Sequence, residues 1–133
     1  EKAKETLREF EGIEYRVIDI QDIPYGEGIF DVVIANMMLY HIPDLSKALG
    51  EVRRVLKENG TFYCATYGEH GIMEYVHGLF EGHGVKASPN HAFTLQNGAE
   101  KLSRYFANVM RHDYQDALEV TNMEDMAALQ HQQ

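Results

Sequence analysis

The spacing of hydrophobic residues changes twice between residues 30 and 66, and these changes predict a strand, a helix and a second strand. Residues 31–35 form a short apolar run rich in Val and Ile, which is typical of a buried parallel strand. From Leu45 to Leu56 the apolar residues recur three and four apart, as on one face of a helix. Residues 61–66 form the next short run. This order predicts a right-handed parallel βαβ unit, which binds ligands at the carboxyl ends of its strands.

Local signals set the boundaries of the predicted helix. Asp44 precedes the first apolar residue and is expected to cap the helix through its side chain. Arg53 and Arg54 lie in the last turns, where cations complement the helix dipole. Asn59 and Gly60 follow, and this pair predicts a left-handed stop. The helix is therefore predicted to begin after Asp44 and to end before Gly60.

Weaker patterns predict the elements on either side of this unit. The chain opens in a helical pattern that ends at Gly12, and alternation over residues 13–18 predicts a strand near a sheet edge. Next come a predicted helix over residues 71–81 and a loop marked by Gly82, Gly84, Ser88 and Pro89. A further helix is predicted to be capped by Asn97, with Glu100 as its capping-box partner. The last predicted elements are a hairpin of residues 108–114 and 117–121 and a short helix that begins at Thr121 or Asn122.

Composition narrows the possible partners. With 133 residues, 44% of them hydrophobic, the chain is expected to form a single domain over residues 1–133. A net charge of -9 disfavours binding to nucleic acid. Cys64 is the only cysteine and is predicted to be a buried bystander in a reducing compartment. No apolar stretch approaches the ~20 residues of a membrane span, so we expect a cytoplasmic protein with no membrane partner.

Three consecutive stretches together resemble a known family. The run FDVVIANMMLYHIPD resembles the fourth strand and following loop of class I S-adenosylmethionine-dependent methyltransferases, a group that includes quinone-biosynthesis and other small-molecule enzymes. The run LSKALGEVRRVLKENGTFYCAT resembles the next helix and strand, and VIDIQDIPYGEGIFD resembles the third strand and the acidic turn that receives the adenine. The resemblance implies an α/β fold: a Rossmann-like three-layer sandwich whose mainly parallel sheet carries an antiparallel hairpin at one edge.

The family's glycine-rich cofactor loop and its ribose-binding carboxylate have no counterpart in the printed sequence. Gly26-Glu27-Gly28 does not replace the loop, because it precedes a strand, whereas a nucleotide loop follows a strand and opens a helix. We interpret it as a turn. We therefore expect an N-terminally truncated domain that lacks ~30 residues or more. Such a fragment is expected to bind cofactor poorly. It is also expected to self-associate, either by strand pairing across a two-fold axis or by exchange of its first helix and strand.

The resemblance implies cofactor-binding residues at the ends of two strands. Asp19 and Ile20 match the position where the family hydrogen-bonds the adenine amino group, although Asp19 can instead be a turn-forming residue. Asn36 and Met37 end the central strand, where the family lines the methionine and ribose side of the cofactor. Asn36 can instead satisfy the backbone at a turn. These four residues form the predicted S-adenosylmethionine site.

Tyr40, His41 and Tyr67 are the residues predicted on the substrate side. His41, with Tyr40 beside it, is a candidate general base, and its alternative role is packing or bonding within the loop. Methyl transfer needs little acid-base help, because the sulfonium already carries a good leaving group and positioning for in-line attack supplies much of the rate. No catalytic base is therefore required by the prediction.

Three histidines, His70, His77 and His83, suggest a metal site at first sight. Seven helical residues advance about 10.5 Å, which is too far for His70 and His77 to share one ion, so no metal is predicted. Two functions remain open. The first is methyl transfer from S-adenosylmethionine to an O, N or C atom of a small-molecule acceptor. The second is a non-catalytic scaffold or dimerisation module derived from the same fold.

Overall fold

The chain divides into two compact units, residues 1–65 and residues 66–133. The structure is a computed structural model that describes residues 2–70, 74, 78 and 91–114. The elements of the first unit are helix α1 (Lys2–Thr6), strand β1 (Phe30–Asn36), a 3-10 turn (Leu39–His41), helix α2 (Leu45–Val55) and strand β2 (Leu56–Ala65). In the second unit the described residues include helix α3 (Gly98–Ser103).

β1 and β2 are neighbouring parallel strands joined by α2, which confirms the predicted βαβ unit. The register pairs Ile34 with Tyr63 and Asn36 with Ala65. Near the start of the ladder the register shifts, because two steps along β1, from Phe30 to Val32, match five steps along β2. β2 therefore carries a bulge at residues 57–60 before regular pairing begins.

Gly60 lies in this bulge, and the predicted left-handed stop there is wrong. The positive φ angles in the described residues belong to Met37, Gly12 and Gly28. The helix ends instead at Val55, and the chain passes directly into extended backbone at residue 56. Gly60 is needed for close approach: a Cβ atom there would lie 2.9 Å from the Leu56 side chain and 3.1 Å from the carbonyl oxygens of Asp31 and Lys57.

Both features predicted for the start and buried face of α2 are confirmed. The Asp44 carboxylate accepts a hydrogen bond from the Lys47 backbone N–H at 3.0 Å, as an N-cap does. The helix packs against β2. Its buried residues, which form much of the core of the first unit, are Ala48, Leu49, Val52 and Val55.

β1 has one covered and one exposed face, so the prediction of a fully buried strand is wrong. Ala35 is 1% exposed, whereas Val32 and Ile34 are 48% and 70% exposed. Residues two apart on a strand share a face, which places Val32 and Ile34 together. In the described part of the chain the sheet has two strands, and α2 packs against it from one side. β1 therefore has more apolar side chains than the first unit buries.

Two other predicted strands are absent from the described residues. Residues 13–18 have no regular structure and no strand neighbour, and Val17 is fully exposed. Residues 108–114 are likewise irregular, while the partner strand at 117–121 lies outside the described residues. Of the predicted helix over 71–81, the structure describes Glu74 and Gly78, both helical. The predicted loop at 82–89 and the last helix also lie outside the described residues.

The capping interaction before α3 differs from the predicted one. The Thr94 N–H donates to Asn97 Oδ1 at 3.0 Å, and the Asn97 N–H donates to Thr94 Oγ1 at 3.4 Å. This reciprocal pair has the pattern of a capping box and lies one turn before the helix. The predicted box of Asn97 and Glu100 is wrong, because the Asn97 side chain is already held by Thr94 and Glu100 pairs with Arg104.

Candidate functional site

The carboxyl ends of β1 and β2 form one edge of the first unit. Asn36, the last residue of β1, is in register with Ala65, and the Met37 N–H donates to the Ala65 carbonyl at 3.0 Å. Asn36 and Met37 are both exposed. Met37 has φ 51°, a left-handed conformation that costs a non-glycine residue roughly 1–2 kcal/mol. The chain therefore turns sharply away from the sheet where the predicted cofactor residues lie.

Asp19 forms a tight turn with the residues that follow it. Its Oδ1 accepts hydrogen bonds from the Gln21 backbone N–H at 2.8 Å and from Gln21 Nε2 at 3.2 Å. These bonds, the backbone one first, hold the pKa of Asp19 below its usual range. Asp19 is exposed and Ile20 is half-buried. The turn-forming role considered for Asp19 is therefore present. Among the described residues, the contact of its second carboxylate oxygen is a longer one, 3.4 Å from Gln21 Nε2.

Gln21 connects this turn to the start of α2. Its Oε1 accepts a hydrogen bond from the Asp44 backbone N–H at 3.0 Å. Because α2 begins just beyond the carboxyl end of β1, the bond brings the Asp19 turn to the same edge as Asn36 and Met37. Sequence reasoning missed Gln21, since its partner is 23 residues away and no local pattern announces the contact.

A second set of contacts, here called the Glu51–Arg54 clasp, fixes the segment after the turn. Glu51 accepts from the Ile23 N–H at 2.9 Å, and Arg54 donates to the carbonyls of Ile23 at 2.9 Å and Tyr25 at 2.7 Å. Arg54 also forms an ion pair with Glu51 at 2.6 Å. The hydrogen bonds from Arg54, followed by that from Ile23, lower the pKa of Glu51 to about 2. Opposite charges three apart on a helix were the available signal for this clasp.

The predicted substrate-side residues fall in both units. Tyr40 and His41 occupy the 3-10 turn after β1, where their ring centroids are 4.3 Å apart at an interplanar angle of 52°. His41 is exposed, while Tyr40 is half-buried. Tyr67 belongs to the second unit, where its carbonyl accepts a hydrogen bond from the Leu95 N–H at 3.0 Å. Their roles toward a substrate remain predictions.

In the second unit the buried hydroxyl of Thr94 holds the carboxylate of Glu69. The sequence pattern did not predict this contact. Thr94 Oγ1 donates to Glu69 Oε1 at 2.7 Å, and His91 Nδ1 lies 3.6 Å from the same oxygen. The pKa of Glu69 is lowered mainly by the Thr94 hydrogen bond, with His91 contributing next among the charges. Within the described ranges, no group of three or more His, Cys, Asp or Glu side chains is arranged to hold a metal ion.

Cys64 lies within β2 and is half-buried. Burial raises the pKa of its thiol, which favours the protonated, weakly nucleophilic form at neutral pH. Cys64 is therefore placed to pack within the strand and not to react as a thiolate.

In the part of the chain that is described, no helix has the length and apolar character needed to cross a membrane.

Comparisons with known proteins place these features in a family context. A model of the methyltransferase domain matches residues 1–64. The ubiquinone/menaquinone biosynthesis C-methyltransferase UbiE of Rickettsia prowazekii is 31% identical over 75 residues, which cover 55% of this chain and 30% of the relative. The squalestatin hexaketide synthase of Phoma sp. is 35% identical over 89 residues, covering 61% of this chain and 3% of the relative. This chain therefore spans less than a third of either relative.

Solved structures give the same fold. The trans-methyltransferase CalH, in complex with SAH, superimposes with a TM-score of 0.57 at 24% identity, covering 77% of this chain and 31% of that chain. This likeness concerns the fold alone. A chain of the complex that contains the Haloferax volcanii Trm112 methyltransferase activator gives a TM-score of 0.52 at 25% identity, covering 72% of this chain and 41% of its own length. Residues 1–64 are therefore similar in sequence to the methyltransferase domain family, and the chain has the Rossmann-like α/β fold of class I methyltransferases.

Proposed function

We propose that this chain takes part in methyl transfer from S-adenosylmethionine to a small-molecule acceptor. The observation that carries the proposal is the exposed Asp19 carboxylate, held through Gln21 at the start of α2 and thus at the carboxyl edge of the strands. Class I α/β folds bind their ligands at this edge. The family match over residues 1–64 supports methyl transfer as the chemistry.

The residues present at this edge fit the chemistry of the cofactor. An ionised carboxylate with one oxygen held only loosely is a suitable acceptor for an adenine amino group, which Asp19 offers. Asn36 presents an exposed amide beside the left-handed backbone of Met37, where polar groups of the ribose or amino-acid portion can be bound. When bound, S-adenosylmethionine supplies a sulfonium-linked methyl group. The protein's part is to orient that group and the acceptor for in-line attack.

The names of two relatives support a small organic acceptor. One is a C-methyltransferase of ubiquinone and menaquinone biosynthesis, and the other is a hexaketide synthase. On the protein side, the adjacent, mutually tilted rings of Tyr40 and His41 lie in the turn shortly after Met37, which makes them our candidates for contacting the acceptor. We also propose that the chain self-associates, since β1 exposes Val32 and Ile34.

Asp19→Asn separates the turn-forming role of Asp19 from a cofactor role. Asn keeps the side-chain oxygen that accepts from the Gln21 N–H, so the turn and the stability of the fold are expected to remain. The loss of the charge removes a charge-assisted hydrogen bond, and binding of radiolabelled S-adenosylmethionine in equilibrium dialysis is expected to weaken about tenfold or more.

Glu58→Gln provides a matched control, because it also removes one exposed negative charge. Glu58 lies in the bulge at the start of β2, at the opposite end of the strands. Its binding is expected to equal that of the unaltered chain. Equal binding by Asp19→Asn and Glu58→Gln would assign Asp19 to the turn alone and would remove the main support for the proposed site.

A further inference from the structure

We propose that Asn59 is a site of spontaneous covalent modification, at which the side-chain amide is converted to a carboxylate by attack of the Gly60 backbone nitrogen. The chain has two Asn-Gly pairs, Asn59-Gly60 and Asn97-Gly98. In the folded chain the first pair reacts, and the second pair is protected by its hydrogen bonds. The reaction needs only water and does not depend on methyl transfer.

The modification consumes groups of the chain itself and water. The Gly60 nitrogen bonds to Cγ of Asn59, which closes a cyclic imide, and the bond from Cγ to the side-chain nitrogen breaks. Ammonia leaves with the proton that the Gly60 nitrogen gives up. Water then opens the imide at either carbonyl, which yields aspartate or its isomer with the backbone routed through the side chain. Each conversion adds one negative charge to the net charge of -9.

The Asn59-Gly60 pair lies in the bulge at residues 57–60, where the fold leaves the reacting groups accessible. Asn59 is exposed, and among the described residues no hydrogen bond holds its side chain. Regular pairing with β1 begins at Thr61, and the Ala65 carbonyl accepts a hydrogen bond from the residue after β1. Because backbone groups alternate in direction along a strand, Thr61 faces β1 as Ala65 does, and the Gly60 N–H lies outside this ladder. The Asn59 side chain can therefore rotate toward the Gly60 nitrogen without breaking a hydrogen bond of its own.

Both glycines are required for close packing. A Cβ atom at Gly60 would lie 2.9 Å from the Leu56 side chain, and one at Gly98 would lie 3.0 Å from the Phe93 ring. In each pair an asparagine is therefore followed by a nitrogen that no neighbouring Cβ shields. The two pairs have the same sequence and differ in their hydrogen bonds, which makes them a matched comparison within one chain.

The Asn97-Gly98 pair is held at every group that would have to react. Asn97 Oδ1 accepts from the Thr94 N–H at 3.0 Å, and Asn97 Nδ2 donates to the His91 carbonyl at 2.8 Å. The Gly98 N–H donates to the Thr94 carbonyl at 2.8 Å, and Gly98 is buried. Attack on Cγ of Asn97 therefore requires local opening of this turn, and the rate falls with the population of the opened form.

Aging of the folded chain at mildly alkaline pH, followed by peptide mapping with mass spectrometry, measures the modified fraction at each asparagine. We expect Asn59 to be converted about tenfold or more faster than Asn97, because the hydrogen bonds at Asn97 must open first. Asn59→Gln has a longer side chain that disfavours ring closure, and it is expected to lose most of the acidic species that ion-exchange chromatography resolves in the aged chain. Asn108→Gln, at an exposed asparagine that is followed by Val109, is expected to retain them.

The same measurement in guanidinium chloride tests whether the fold causes the difference. Unfolding removes the hydrogen bonds at Asn97, so the two asparagines are expected to react at similar rates. Equal rates in the folded chain, or a folded chain that stays unmodified at Asn59 while the unfolded chain reacts there, would overturn the assignment of Asn59. A rate difference that persists undiminished in guanidinium chloride would overturn the protective role of the hydrogen bonds at Asn97.

Discussion

Leu49→Ala is the substitution that most directly tests whether the buried face of α2 holds the first unit together. Leu49 lies in the middle of the helix and is 1% exposed. The helix carries Asp44, which meets Gln21, and the Glu51–Arg54 clasp. A helix that loses its packing against β2 therefore also loses its hold on the turn at Asp19.

The expected loss follows from the burial of this side chain. Leu49→Ala removes three buried carbon atoms, each worth roughly 0.8 kcal/mol in transfer free energy. The cavity left behind adds to this, and such substitutions cost about 2–5 kcal/mol in total. We expect a loss of about 3 kcal/mol in the free energy of unfolding. This is a large fraction of the stability of a small domain, which is typically about 5–15 kcal/mol.

Urea denaturation followed by far-ultraviolet circular dichroism measures this loss. With a denaturant dependence of roughly 1–2 kcal/mol per molar urea, the midpoint is expected to fall by about 1.5–3 M. Leu7→Ala makes the same chemical deletion at a residue that is 36% exposed, and it is expected to cost less than half as much. If Leu49→Ala is no more destabilising than Leu7→Ala, the core assigned to α2 is wrong.

Three further substitutions have defined outcomes. Arg54 lowers the pKa of Glu51 to about 2, so the ionised Glu51 contributes stability that is fully present above about pH 4.5 and is lost as the pH falls through about 2. Glu51→Gln is expected to remove this part of the pH dependence when the free energy of unfolding is measured across the acid range. Gly60→Ala is expected to lower the thermal midpoint because of the crowded Cβ position, whereas Gly26→Ala is expected to leave it nearly unchanged. Met37→Gly is expected to preserve or raise stability by up to ~1 kcal/mol in urea denaturation, since glycine relieves the left-handed strain, and a clear loss would contradict that reasoning.

Local signals predicted the βαβ unit correctly, although two of them, the stop at Gly60 and the capping box of Asn97 and Glu100, were misleading. Asp44 caps α2 as expected, and the parallel pairing of β1 and β2 follows from the short apolar runs on either side of the helix. The irregular segment at residues 13–18 shows the limit of such reasoning. Its alternating pattern is compatible with a strand, but a strand also requires a neighbour to hydrogen-bond with, and the described residues supply none.

The candidate site shows the same division between local and tertiary information. The turn at Asp19 was considered as the alternative to a cofactor role, because Asp commonly bonds the backbone two residues on. The bond from Asp44 to Gln21 was not, since it joins residues far apart in sequence. The exposure of Ile34 depends on what covers the sheet, a property that the composition of β1 alone does not determine.

A nuclear magnetic resonance titration of the ¹⁵N-labelled chain with S-adenosylhomocysteine tests the proposed cofactor site most directly, because it detects weak binding residue by residue. We expect the largest amide shift changes at Ile20, Gln21 and Met37, at the carboxyl edge of the strands. The same titration of Asp19→Asn is expected to show much smaller changes. An absence of shift changes at millimolar ligand, or changes confined to α3, would contradict the assignment of this edge as the cofactor site.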